Sequence, residues 1–418
     1  MALLPTASAR RRASLAVAAV LGLGMTVFVL RPDGPLGPHL WPAEAIEPHV
    51  AATGSRLALA WMEVAGAGEV AATIAVRRSQ DGGATFGSVE HLAAPGGRLS
   101  ADPTLAYGRD GSLYLSWLAF RSHSSIESEP YDMAIVVAKA RPGAAAFDPP
   151  VLVADDRQTT YDKPWSTVSS DGTLHVVYRF AWANRAGFHD AQVMADGSRK
   201  TVVLVDASGF SGALPVVCSD PAQPRIFVAN LRPELGIELR RVDRSGSPPS
   251  DAQLVSLPGE RIAHQSPSCV VEGGDVSVSY GVSDRVWDSA RSPLLQRVVV
   301  VKRSEPSGEL SRQALERPGH LLMHPQLVAP QSGSGVVQLA YLMGRRENDP
   351  DAVLRLWTLH QSPDSAQTLR RGLQLVAHRE DRRWPGDYLG TAVSASRTVV
   401  AFIDNRRRRH AEIVFAGP

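Results

Sequence analysis

Cysteine is almost missing from this chain: Cys218 and Cys269 are the only two in 418 residues. Twelve histidines are scattered without H-E-x-x-H or any other ligand spacing, so no transition-metal site is expected. Neither a phosphate-binding glycine loop nor a G-x-S-x-G elbow occurs, and no cofactor is expected. A strong charge bias is also lacking. Lys and Arg number 44 against 42 Asp and Glu, a formal net charge of +2, which on global charge excludes a strongly basic nucleic-acid binder. Beyond the N-terminus no segment sustains a helical period, and 35 Gly with 30 Pro suit a chain full of turns.

What is present begins with Arg10, Arg11 and Arg12 ahead of an uncharged run, Ala13 to Leu30, 18 residues long. Basic residues before an apolar run predict a membrane-targeting element with the positive end cytoplasmic. A cleavable signal normally has a shorter apolar run with a small-residue site just after it. Here the run ends in Leu30-Arg31-Pro32 and the nearest outside match, Ala43-Glu44-Ala45, lies well beyond. An uncleaved anchor over 1–30 is the reading, with the rest periplasmic or extracellular, or secreted if the segment is removed. Pro32, Pro35, Pro38 and Pro42 then predict an extended linker over 31–46.

From residue 47 to the C-terminus a unit recurs about every 55 residues, a period that implies a toroid of small sheets. Each unit has a polar residue, a proline, a short apolar stretch, a Gly or Asp turn, and a second apolar run containing an aromatic. The prolines are Pro48, Pro103, Pro164, Pro215, Pro267 and Pro325, and a seventh unit near Tyr388 lacks one. The aromatics are Trp61, Trp117, Tyr178, Tyr280, Tyr341 and Phe402, with Phe227 slightly out of step. In the second unit Thr104 to Tyr107, Ser112 to Ala119, Met133 to Lys139 and Val151 to Ala154 read as four short strands joined by turns. Such repeats predict an all-β propeller of four-stranded blades, seven in number with six as the alternative. The last unit offers only three clear strands, and a segment near Leu40 is the candidate for its outer one.

The turn after the third strand of the first unit reads Ser79-Gln80-Asp81-Gly82-Gly83-Ala84-Thr85-Phe86. It resembles the Asp-box, S-x-D-x-G-x-T-F/W, of sialidases and other BNR-repeat propellers. In that resemblance Ser79, Asp81, Gly83 and Phe86 are structural: Asp81 caps turn amides and Phe86 anchors the hairpin. Active sialidases of the family carry an arginine triad for the sugar carboxylate, a Tyr-Glu nucleophile pair and an acidic general acid. Where the first arginine stands in an Arg-Ile-Pro motif, this chain has Glu47-Pro48-His49.

In an antiparallel blade the start of strand one and the end of strand two lie at one edge, so these positions from every unit share one face. Strand-one starts supply Glu47, Asp102, Asp162, Lys163, Ser266, His324 and Asp387. Arginine recurs after strand two at Arg121, Arg179, Arg232, Arg285, Arg346 and Arg406, and guanidinium suits carboxylate, sulfate or phosphate. Trp165 lies near the same ends, placed for stacking on a sugar or for packing between blades. The resemblance implies catalytic candidates Asp102, Asp162 and Asp387, with Tyr161 or Tyr388 as nucleophile. Two functions stay open. One is an envelope-anchored propeller binding a glycan, another anionic ligand or a protein partner on this face. The other is a divergent sialidase-like glycoside hydrolase.

Cys218 lies three residues after its proline and Cys269 two after its own, so on aligned strands their side chains point to opposite sheet faces. Adjacent blades stack face to face. Opposite parity therefore predicts a Cys218–Cys269 disulfide between the fourth and fifth blades.

Overall fold

The computed structural model describes residues 44–416 except 66–70, 122–131, 209–213, 233–234, 244–251, 284–291, 330–335, 379–380, 382, 395–396 and 407–408. The expected anchor over 1–30, the segment near Leu40 and Arg285 lie outside the described residues. Among the described residues no helix is long and apolar enough to cross a membrane.

Seven antiparallel sheets form the body, each a meander of consecutive strands. Six have four strands and the last, Gly390–Ser394, Arg397–Asp404 and His410–Ala416, has three among the described residues. This is a seven-bladed propeller. Blade one runs Glu44–Thr53, Arg56–Ala65, Ala71–Ser79 and Glu90–Leu92. Its first strand thus begins inside the stretch expected as linker. Pairing of Glu44 with Val64, and the Ala45 amide bonded to the Arg409 carbonyl at 3.0 Å, draw residues 44–46 into the sheet. The later inner strands are Leu99–Tyr107, Thr160–Val168, Val216–Ser219, Ser268–Glu272, Leu321–Val328 and Gly390–Ser394. Each touches its neighbours round the ring, and the last touches the first.

Alternation explains how the blades stick. In the second strand of blade three, Leu174–Trp182, residues 174, 176, 178 and 180 pack toward blade two, whereas Val177 and Ala181 pack toward blade four. The recurring aromatics of the second strands, Trp61, Trp117, Tyr178, Phe227, Tyr280, Tyr341 and Phe402, are all buried in these gaps. Full burial of a large side chain contributes about 1.5–3 kcal/mol, so the periodic aromatic is the principal adhesive between blades.

The turn at residues 79–86 has the bonding its composition suggests. The Asp81 carboxylate accepts from the Thr85 amide at 2.9 Å, the Thr85 hydroxyl at 2.6 Å and the Ser79 hydroxyl at 2.7 Å. These bonds hold the carboxyl well below the usual range, those from Thr85 contributing most. The turn also reaches the last blade, because the Arg397 guanidinium donates to the Gly82 carbonyl at 2.8 Å. Gly83 must be glycine on two counts: φ is +89°, and a Cβ there would meet the Phe415 ring at 2.2 Å.

Cys218 and Cys269 are joined in a disulfide across blades four and five, with Cα atoms 5.8 Å apart and a sequence separation of 51. In the chain-entropy account a loop of that length stabilises by about 4 kcal/mol. Reduction of the folded protein, or Cys218→Ser, is expected to lower the thermal midpoint by a corresponding amount. Recovery of both cysteines as free thiols from the non-reduced protein would refute the link.

Candidate functional site

Six of the seven units place a residue before the repeat proline, and at four of them the backbone does something unusual. Glu47, Asp102, Lys163 and His324 have φ of 55°, 50°, 46° and 52°, in the left-handed region that non-glycine residues rarely enter. At the same points the pairing of strands one and two slips: between Ile46 and His49, Ala101 and Thr104, Met323 and Gln326, and opposite Val177 and Arg179. Each is a β-bulge, which bends the strand and re-aims the side chain. Such strain costs on the order of 1–3 kcal/mol per residue. The proline that marks each repeat follows the bulged residue.

Three of these bulges and the turn before the last inner strand assemble one buried cluster. Lys163 Nζ lies 2.6 Å from Asp102 Oδ1, 2.9 Å from Asp387 Oδ2 and 3.7 Å from Glu47 Oε1. The lysine side chain is 6% exposed, that of Glu47 not at all. Glu47 Oε2 accepts from the Asp102 amide at 3.3 Å, and Ser292 Oγ donates to Asp387 Oδ1 at 3.0 Å while accepting from Trp384 Nε1 at 3.0 Å. Burial alone would lower the ammonium pKa; Asp102, Asp387, Glu47 and Asp162 together hold it well above its ordinary value. Burial, with Asp102 beside it, pushes the Glu47 carboxyl well upward against the pull of Lys163. One cation therefore serves carboxylates from blades one, two and seven.

Aromatic rings pack beside this cluster. Trp165 stands edge-on between His49, at 5.3 Å, and Tyr388, at 5.5 Å. Tyr388 is buried, donates to the Pro103 carbonyl at 3.4 Å, and has Lys163 Nζ 6.0 Å from its ring centre. Burial first, then the Glu47 and Asp102 carboxylates, raise its phenol well above the usual value. His49 Nδ1 accepts from the Leu105 amide at 3.2 Å, and burial lowers its imidazole to about 4.

Of the residues expected in the site, Asp102, Asp387, Tyr388 and Trp165 come together here. Asp162 is adjacent in sequence, its Oδ1 accepting from the Lys163 amide at 2.9 Å. Tyr161 is not with them: it packs edge-on to Tyr178 at 5.6 Å in the gap toward blade two. The arginines do not converge on a common seat. Arg121 Nε pairs with Asp132 at 2.8 Å, Arg232 with Glu238 at 3.4 Å, and Arg406 Nε with Asp404 at 2.9 Å. Arg346 is exposed after the strand Gln338–Gly344, and Arg179 is not on the solvent face at all, being 1% exposed. Asp404, His410 and Glu412 could share an ion by distance, but Arg406 and Arg370 already hold the Asp404 carboxylate and Arg370 reaches Glu412. Glu47 was legible as a strand-one start, whereas Ser292 stands at no repeated position.

No protein-family model matches the chain, and no curated protein does. Solved structures do. A Hadza microbial sialidase is 14% identical with a TM-score of 0.50, covering 71% of this chain and 63% of its own. A Trypanosoma rangeli sialidase in complex with the inhibitor DANA is 13% identical at TM-score 0.51, over 77% of this chain and 56% of its own. A protein of unknown function from Dyadobacter fermentans is 12% identical at TM-score 0.51, over 91% of this chain and 99% of its own. The chain thus spans less than two thirds of the length of the two sialidases. The fold is that of a sialidase-type propeller.

The cluster yields two expectations. Lys163→Met leaves buried carboxylates without their cation, and breaking a buried pair typically costs about 3–5 kcal/mol. A thermal midpoint equal to that of the parent protein would contradict the hub role. His49 is neutral in the folded state down to about pH 4 against an ordinary 6.5, so the unfolded chain takes up its proton first as pH falls. Stability from this group is full above 6.5 and declines toward pH 4, by on the order of 3 kcal/mol. In His49→Gln, urea midpoints should fall less across that interval, and parallel curves for the two proteins would refute the assignment.

Proposed function

We propose that the chain is a sialidase-like propeller used for binding, with a glycan, another anionic ligand or a protein partner taken on the face where the inner strands begin. The observation that carries this reading is the engagement of Asp102 and Asp387, with Glu47 beside them, by Lys163. A glycosidase needs one carboxyl free to give a proton and another free to stabilise or attack; here two of the three candidates, Asp102 and Asp387, are ion-paired, and the third, Asp162, is buried with its Oδ1 on the Lys163 amide. Arg121, Arg232 and Arg406 each face a carboxylate of the protein, so an anionic ligand on this face shares or displaces those pairs, whereas Arg346 is exposed.

One observation favours the alternative, a divergent glycoside hydrolase: Tyr388 lies among Glu47, Asp102 and Asp387, whose charges all act on its phenol. A raised phenol pKa opposes nucleophilic use, which keeps hydrolysis the second reading. The basic run before the apolar segment 13–30 and the disulfide together support a propeller held outside the cytoplasm by an N-terminal anchor.

A glycan array, run beside a panel of fluorogenic glycosides that includes sialosides, separates the readings. Expected are binding to anionic glycans and no turnover above the buffer rate. The triple variant Arg121→Ala, Arg346→Ala and Arg406→Ala should bind about tenfold more weakly or worse, since a charged hydrogen bond is worth roughly 1.5–3 kcal/mol. Its thermal midpoint should fall only modestly, because Arg346 and Arg121 are exposed and Arg370 still pairs with the buried Asp404 once Arg406 is gone. Turnover abolished by Tyr388→Phe would instead establish the hydrolase.

A further inference from the structure

The edge of a guanidinium formed by Nε and Nη2 presents two parallel N–H groups that match a carboxylate. This protein uses that edge repeatedly. Arg383 gives it to Asp381 at 3.0 and 2.7 Å, and Arg409 gives it to Glu44 at 3.0 and 2.6 Å. Arg185 gives it to Asp206 and Arg98 to Asp132. Arg179 has the same edge buried, and neither Nε nor Nη2 has a hydrogen-bond partner.

Strand alternation fixes where that edge looks. Val177 and Ala181 flank Arg179 on its own face and pack with Ile226 and Val228 of blade four. Asn230, two residues beyond Val228 in the strand Ile226–Arg232, therefore faces back into the same gap. It is fully buried, and both atoms of its amide lack partners. Asp162 is the direct cross-strand neighbour of Arg179. Its predecessor Tyr161 packs toward blade two, so Asp162 too faces blade four. Its Oδ2 is buried without a hydrogen-bond partner.

Buried polar atoms in folded proteins are nearly always satisfied, yet the Asp162 carboxylate acts on the Arg179 charge without hydrogen-bonding its Nε or Nη2. The atoms concentrated in this one gap comprise donors, Arg179 Nε and Nη2 and Asn230 Nδ2, and acceptors, Asp162 Oδ2 and Asn230 Oδ1. An occupant that satisfies these atoms must accept two parallel bonds, as a carboxylate does, and also donate one. It must be small, because the gap is closed to solvent at Arg179.

We propose that the gap between blades three and four is a binding site for a small hydroxycarboxylate, its carboxylate on the Nε/Nη2 edge of Arg179 and its hydroxyl between Asn230 and Asp162. The site is separate from the exposed face assigned above and is independent of what that face binds. Burial pushes the Asp162 carboxyl up to about 6, so near neutral pH it is the acceptor that the hydroxyl requires.

The test uses the intact, disulfide-bonded protein equilibrated with glycolate, acetate or chloride. Thermal unfolding is followed as each is titrated. Expected is a saturable rise in midpoint with glycolate, a smaller one with acetate and none with chloride beyond the general salt effect. Asn230→Leu should reduce the apparent glycolate affinity about tenfold, one hydrogen-bonded contact to a buried polar group, and Arg179→Met should abolish the response. Equal midpoints for glycolate and chloride in the unsubstituted protein would overturn the proposal. If Arg179→Met does not fold, a crystal structure grown with glycolate decides: a carboxylate on the Arg179 edge supports the site, and ordered water alone refutes it. Loss of glycan binding in the surface-arginine triple variant leaves this response unchanged, so the two readings fail separately.

Discussion

A propeller is a strip of sheets that must be joined end to end, and here the join is made where charge is most expensive to bury. Lys163 sits at the axis on a backbone kink and takes carboxylates from the first, second and last blades. Removing these groups from water costs several kcal/mol each and is offset only by good geometry among them. The surrounding contacts supply that geometry. Gly386, at φ +104°, packs so closely on Glu47 that a Cβ would come within 2.5 Å of the glutamate Cγ. The Glu47 amide bonds the Pro385 carbonyl at 3.1 Å, and Gly390 lies against His49 and Val50. The hub therefore depends on blade seven being seated, and the seat depends on the hub.

Much of this was legible in the sequence, and the rest was hidden for physical reasons. The repeat prolines of six units and the second-strand aromatics of all seven pointed to seven blades with six as the alternative, because both answer local demands that recur along the chain, and the structure has seven. The opposite parity of Cys218 and Cys269 located their disulfide for the same reason. The residues before the prolines were legible as sharing a face, but not as bulged, since a pre-proline residue ordinarily stays extended. Whether an arginine at a strand end is free or ion-paired depends on partners from distant turns: Asp132 for Arg121, or Asp404 for Arg406. Arg179 follows its repeat aromatic directly, inside the strand Leu174–Trp182, whereas Arg121 and Arg406 follow theirs by four residues and Arg232 and Arg346 by five; it therefore lies between two blades instead of at the mouth.

The similarity to sialidases rests on architecture, at identities of 10–14%, and does not carry their chemistry with it. The axial positions here illustrate the point. A lysine and the three acids it engages meet between blades one, two, three and seven, backed by Trp165, His49 and Tyr388.

The two seams that carry special fastening are far apart round the ring. Blades four and five are linked covalently by Cys218 and Cys269, whereas blades seven and one are held by Arg409 on Glu44, Arg397 on Gly82 and the axial acids. A chain pulled from the N-terminal side of Glu44 would load the second seam first, because Glu44–Thr53 is the first described strand from that side. Parting there would convert the ring into an arc whose middle remains cross-linked. Reclosure would then require re-seating one edge against another and not refolding of the whole body, so the disulfide preserves the memory of the ring while the ionic seam acts as its reversible clasp.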